Sequence, residues 1–233
     1  MPMRMAMWNE FLLVAGCYLL GSVPFMYMMG RLHGVDLRKH DDSHIALWRE
    51  VGRLEGFLGV MLDLAKGVIA VAVARAVGFD IGWVAFAGVA AVAGQMWPVF
   101  LNFDGEKGNS IGLAMSGTLA TMAMLYALIP ITTGFLIRTI PRFRQPDQSL
   151  ADRFRFGGPP SNSLPVGMGV GFAVLPIAAW GLGYEWQIVV AFAGVFGLIM
   201  LRRATADLRQ DWGKTSDHKT LLLKRVLYDR SDL

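Results

Sequence analysis

The chain reads as an all-α membrane protein, one polytopic bundle of about seven transmembrane helices. Three observations predict this. Of its 233 residues, 54% are hydrophobic and only 17% are charged. Apolar segments of about 20 residues, the length that crosses a hydrocarbon layer as a helix, recur along the whole chain. Nearly all the Lys and Arg residues lie between those segments rather than within them.

Taken in order, the first segment runs from Trp8 to Gly30. Arg4 is its only preceding basic residue, it is longer than the apolar region of a secretory signal, and no clear small-residue cleavage site follows, so it reads as a retained span. The second and third run from Gly56 to Phe79 and from Ile81 to Leu101. The fourth, Asn109 to Ile137, is 29 residues long and contains Gly112, Gly117, Pro130 and Gly134 as potential breaks. It reads as two short or tilted helices, with one long tilted span as the competing reading. Leu164 to Leu182 and Trp186 to Leu201 complete six evident apolar segments.

Charge parity favours the split. Lys and Arg number five in 31–54, one in 102–108, five in 138–163 and eight from Arg202 onward. With six crossings the two last groups would face away from the first loop, against the positive-inside rule; a seventh crossing within 109–137 puts every charged loop on the cytoplasmic side. The chain is expected to form one membrane domain, 1–233, with a polar cytoplasmic insertion at 138–163 and a basic cytoplasmic tail at 203–233. Arg142, Phe143, Arg144 and Arg153, Phe154, Arg155, Phe156 would suit a surface lying on anionic lipid, as would the partly amphipathic tail.

Several function classes are disfavoured. The net charge of +4 reflects topology determinants rather than a nucleic-acid surface, so no nucleic acid is expected as partner. The single Cys17 excludes an intramolecular disulfide. Ser22 has no His or Asp at a triad spacing. The run His33, His40, Asp41, Asp42, Ser43, His44 fits no helix-face ligand pattern, so neither a metal nor a cofactor is expected. No duplicated halves suggest a transporter. Trp8, Trp83, Trp97 and Trp186, near span ends, read as interfacial anchors.

Two places carry charge where charge is costly or useful. Asp63 and Lys66 fall inside the second span, where an ionised side chain costs about 2.5 to 3.5 kcal/mol at the helix centre even on insertion scales. Three residues apart, they share a helix face and compensate each other, with Gly67 allowing close helix packing; Lys66 could also help bind an anion. The other place is Gly105-Glu106-Lys107-Gly108, where the chain leaves the third span. There Gly105 and Gly108 would let backbone N–H groups approach a phosphate, and Lys107 would supply the charge.

These residues resemble the acyl-phosphate-dependent glycerol-3-phosphate acyltransferases of bacterial membranes (PlsY). Gly21-Ser22-Val23-Pro24-Phe25 through Arg38 is similar to that family's first span and first loop. Asp63-Leu64-Ala65-Lys66-Gly67 matches its Asp-x-x-Lys-Gly, and Gly94 to Gly108 resembles its Gly-His-x-aromatic-Pro-Val-Phe…Phe-x-Gly-Gly-Lys-Gly block. The resemblance implies a seven-span bundle that moves an acyl group from acyl phosphate to the 1-hydroxyl of glycerol 3-phosphate. Acyl phosphate, glycerol 3-phosphate and membrane lipid are then the expected partners. It assigns no side chain as catalyst, the substrate phosphate taking the proton itself. The implied substrate-binding residues are Ser43, Arg49, Asp63, Lys66, Gly105, Lys107, Gly108, Ser163, Arg203 and Arg209, with Arg203 replacing a family His. The chain departs from the pattern in the first loop, where the Gly-Ser-Gly is absent and Asp41 and Asp42 stand instead, at Gln95 in place of His, and at Glu106 in place of Gly. Those departures leave open a second reading, a relative that binds lipid or assists assembly without catalysis.

Overall fold

The computed structural model describes residues 2–37, 43–144, 161–206 and 208–229. His40, Asp41, Asp42 and the 153–156 Arg/Phe alternation lie outside them, as does the side chain of Arg209. The described residues are helical throughout their regular structure, and six of the helices are long and apolar enough to cross a membrane.

The first span is broken. Helix α1 (Pro2–Ser22) stops before Val23 and Pro24, and α2 (Phe25–Leu32) resumes. Pro24 has no N–H and disfavours helical geometry in Val23, and the Phe25 N–H turns to the Val23 carbonyl at 3.1 Å, which leaves the Gly21 carbonyl without its helical donor. A short α3 (Ser43–Ala46) runs into a π-helical turn, Leu47–Val51. Helix α4 (Arg53–Val77) is the second span and ends on Gly78 in the left-handed region. Helix α5 (Ile81–Met96) is the Ala-rich centre of the bundle, where Ala85, Ala87, Ala91 and Val92 are buried. Trp97-Pro98 terminates it.

The 109–137 segment does divide, but at none of the expected breaks. Helix α6 (Asn109–Leu119) and α7 (Thr121–Phe143) meet at Ala120, which adopts an extended φ of −148°. Pro130 is absorbed inside α7, where its carbonyl and Gly134 lie against Gly167 of the next helix. With 11 residues, α6 is about 16 Å long, half of a hydrocarbon layer. It still completes a crossing. A side chain at Gly67 would strike the Ile111 carbonyl and the Met115 amide, while Arg75 in the last turn of α4 donates to the carbonyls of Thr118 and Leu119 at 2.9 and 2.8 Å. Helix α6 thus runs alongside the second half of α4 and ends at the same level, and α7 returns.

The stretch read as a polar insertion from 138 is helical up to Phe143, and Arg142 is buried. Helix α8 (Ser163–Gly181) and α9 (Trp186–Thr205) are the last spans, followed by α10 (Leu208–Trp212) and α11 (His218–Tyr228). Residues 203–205, assigned to the tail from sequence, are the last turn of α9. The outward faces stay apolar, as at Phe57, Ile129 and Ile177, which suits lipid.

Candidate active site

Among the described residues, the first loop, the second loop and the tail gather at one end of the bundle. Contacts link the first loop to the second, the second to the tail, and the tail to the start of α8, in two adjoining clusters.

The first cluster forms around Asp63. Its Oδ1 pairs with Lys66 Nζ at 2.7 Å, and its Oδ2 accepts from Gln95 Nε2 at 2.9 Å; Asp63 and Lys66 are each 2% exposed. Lys66 uses its other protons on the carbonyls at this break, Gly21 at 3.3 Å and Val23 at 3.2 Å. From the first loop, His44 Nε2 lies 2.9 Å from Glu106 Oε2 and 3.7 Å from Asp63 Oδ2. Ser43 hydrogen-bonds Tyr27 at 3.2 Å and also reaches Glu106. Burial by itself would raise the Glu106 carboxyl, but the charge and hydrogen bond of His44, the charge of Lys66 and the hydrogen bond from Ser43 together hold the group below its ordinary value. A small open cleft lies beside this cluster, lined by Ser22, Pro24, Tyr27, Lys66, Pro98 and Gly105 among others.

The second cluster forms where the second loop meets the tail. Lys107 Nζ donates to the main-chain carbonyl of Asp229 at 2.9 Å and lies 3.2 Å from its Oδ1. Arg203, 2% exposed, donates to the carbonyls of Pro165 at 3.0 Å and Val226 at 3.3 Å, and its Nε lies 3.8 Å from Asp229 Oδ1. Beside it Arg202 ties down the loop, donating to Asp104 Oδ1 and the Gly105 carbonyl, each at 2.6 Å.

The Gly-x-Lys-Gly turn is built differently from the sequence reading. The N–H groups of Gly105 and Glu106 donate to the carbonyls of Met96 and Gln95 at 3.2 and 3.1 Å, folding the loop back onto the open end of α5. Gly105 is therefore not a free donor; its lack of a side chain lets it lie against Pro98. Gly108 takes the left-handed φ of 74° that starts α6, so the anion-attracting end of that helix adjoins Lys107. Glu106 pairs with His44 rather than with Lys107.

Of the residues named from sequence, Ser43, Asp63, Lys66 and Gly105 fall at the first cluster, and Lys107, Gly108 and Arg203 at the second. Arg49 is exposed on the π-helical turn. Ser163 donates to the Gly134 carbonyl at 2.9 Å and fastens α8 to α7. The backbone of Arg209 lies in α10.

Comparison with known proteins decides the family. The family described as glycerol-3-phosphate acyltransferase matches residues 11–210. The chain belongs to that family. Among curated glycerol-3-phosphate acyltransferases, one from Prochlorococcus marinus is 32% identical over 188 residues, covering 74% of this chain and 86% of that one. One from Geobacter sulfurreducens is 36% identical over 125 residues, 52% of this chain and 64% of its own length. The match thus spans less than two thirds of that Geobacter relative and of its Geobacter metallireducens counterpart, where it reaches 61%. The fold is that of PlsY, an integral membrane glycerol 3-phosphate acyltransferase whose crystal structure in its glycerol 3-phosphate form superposes with a TM-score of 0.67, at 23% identity, over 88% of this chain and 91% of that one.

Sequence reasoning did not assemble His44, Gln95 and Glu106 into one site, nor find Tyr27, Arg202 or Asp229. A signal for the first three existed. Each stands where the chain departs from the glycerol-3-phosphate acyltransferase pattern, and the fold brings all three to Asp63, so the departures fit one another.

Proposed function

We infer that this protein transfers an acyl group from an acyl phosphate to the 1-hydroxyl of glycerol 3-phosphate, giving lysophosphatidic acid and inorganic phosphate. The hydroxyl oxygen forms a bond to the acyl carbon, the bond from that carbon to the phosphate oxygen breaks, and the hydroxyl proton leaves with the phosphate. The observation that carries this reading is the convergence of Lys107, Arg203 and the start of α6 at one end of a glycerol-3-phosphate acyltransferase fold. Two phosphorylated substrates need fixed cations more than a nucleophile, because an acyl phosphate is already activated. On this reading Lys107, Gly108, Arg203, Arg49 and Arg209 hold phosphates. Asp63, Lys66, Ser43 and Gly105 position the loops that carry them, and Ser163 fixes the mouth of α8.

Purified protein supplied with palmitoyl phosphate and glycerol 3-phosphate is expected to release inorganic phosphate and form lysophosphatidic acid in equal amounts, each requiring both substrates. Hydrolysis of acyl phosphate with no acylated glycerol 3-phosphate would sink the reading. The loops face the cytoplasm on this account. In a Cys17→Ser background, Glu50→Cys and Ser216→Cys should resist an impermeant thiol reagent in intact cells and react after lysis.

A further inference from the structure

The end of α11 sets a carboxylate against the two cations of the second cluster. Asp229, the residue after that helix, has φ 58°, in the left-handed region that Asp enters more readily than most side chains. This places both its main-chain carbonyl and its carboxylate on Lys107, with Arg203 behind them. The arrangement is held from several sides. Arg225 pairs with Asp211, Arg203 holds the Val226 carbonyl at 3.3 Å, Leu221 is fully buried, and Asp217 caps α11 by accepting the Thr220 N–H at 3.1 Å. Helix α11 lies outside residues 11–210, the part matched by the family.

The carboxylate fits its position incompletely. Among the described residues, two cations, Lys107 and Arg203, face one carboxylate. Arg203 Nη2 is buried with no hydrogen-bond partner among the described residues, and Nε, at 3.8 Å, is too far from Asp229 Oδ1 to bond it. Buried guanidinium donors are normally satisfied, and an orphan beside the Asp229 carboxylate leaves a donor for an anion with more acceptors. A phosphomonoester, with three terminal oxygens and a charge of about −1.5 to −2, offers what the carboxylate lacks.

We propose that Asp229 is a built-in competitor: its carboxylate occupies the phosphate position between Lys107 and Arg203, so a phosphorylated substrate binds by displacing the end of α11. The inference rests on the reading of those two cations as phosphate ligands. It makes the tail a device that sets how much glycerol 3-phosphate the protein requires.

The test compares full-length wild type, Asp229→Ala and Asp229→Asn in detergent. The Asn variant keeps the shape and removes the charge. One readout is KM for glycerol 3-phosphate; the other is the inorganic phosphate concentration that half-maximally raises the thermal midpoint. If the closed tail leaves the site open one tenth of the time, both variants lower KM about tenfold with kcat changed less than about twofold, and the phosphate midpoint falls in the same ratio. Unchanged or raised values in both variants would overturn the proposal, as would absence of a phosphate response in all three proteins or failure of both variants to fold, which would make Asp229 a structural anchor. Absent turnover with a lowered phosphate midpoint would leave the competitor standing and remove the acyltransferase reading instead.

Discussion

The two charged clusters meet on one short loop, Glu106 belonging to one and Lys107 to the other, and they are balanced differently. Around Asp63 two carboxylates face Lys66 and His44, and Lys66 spends its remaining protons on backbone carbonyls. Around Lys107, among the described residues, two cations face one carboxylate, and buried guanidinium donors remain over. The first arrangement balances two carboxylates against two basic groups, which is what a bundle needs when it buries charge inside a span, although Gln95 Oε1 and Glu106 Oε1 are buried there without a hydrogen-bond partner among the described residues. The second carries an excess of positive charge that an anion would satisfy. Charge at a membrane interface therefore does not by itself mark a site; its local imbalance does.

The strongest way to break this comparison is at Lys66. Lys66→Met would strand the Asp63 carboxylate inside α4 and take the donor from the carbonyls of Gly21 and Val23. Removing one partner of a buried pair typically costs about 3 to 5 kcal/mol, so the variant should give little folded protein on size-exclusion chromatography. Adding Asp63→Asn should restore part of the yield by removing the stranded charge. A Lys66→Met protein as stable as wild type would mean that the first cluster does not hold α1 to α4.

Lys107 should behave in the opposite way. Lys107→Met removes a charge-assisted contact worth about 1.5 to 3 kcal/mol, so acyl transfer should fall roughly 10- to 150-fold while insertion and purification stay normal. An ordinary positive-inside anchor would be covered by the other basic residues of the loops and tail. Full turnover in well-inserted Lys107→Met would remove this turn from the site, and turnover lost only together with folded protein would place Lys107 in the structural class with Lys66.

The contrast also separates what the sequence could disclose from what it could not. Apolar segment lengths and the parity of Lys and Arg sufficed for the bundle and its extra pass, because both follow from the cost of placing polar groups in hydrocarbon. The break at Ala120 was hidden, since it comes from α6 docking along α4 and not from a helix-breaking residue. The Asp63–Lys66 pair was legible from its three-residue spacing on one helix. The partners of Glu106 and Lys107 were not: His44 is 62 positions from Glu106 and Asp229 is 122 from Lys107, and only the tertiary fold chooses between His44 and the adjacent Lys107 as counter-ion.

The mildest test sharpens the comparison at its boundary, Glu106. Burial is the largest single influence on its carboxyl and raises it, but the charge and hydrogen bond of His44 at 2.9 Å, the charge of Lys66 and the hydrogen bond from Ser43 together hold it below its ordinary value of about 4.5. A carboxyl depressed by folding stabilises the protein above its unfolded value and loses that contribution as pH falls through the lower folded value. The thermal midpoint of wild type should therefore drop as pH is lowered from about 6 to about 4 and below, and the drop should be shallower in Glu106→Gln, whose amide does not titrate. The two proteins should differ most near the upper end of that range, where wild type has the ionised contact and the variant only a neutral hydrogen bond. Since Lys107 is paired with Asp229 and not with Glu106, the substitution should leave KM for glycerol 3-phosphate close to wild type. A large fall in KM would place Glu106 among the charges repelling substrate, merge the two clusters into one electrostatic unit, and undo the distinction between a closed cluster that holds the fold and an open one that binds.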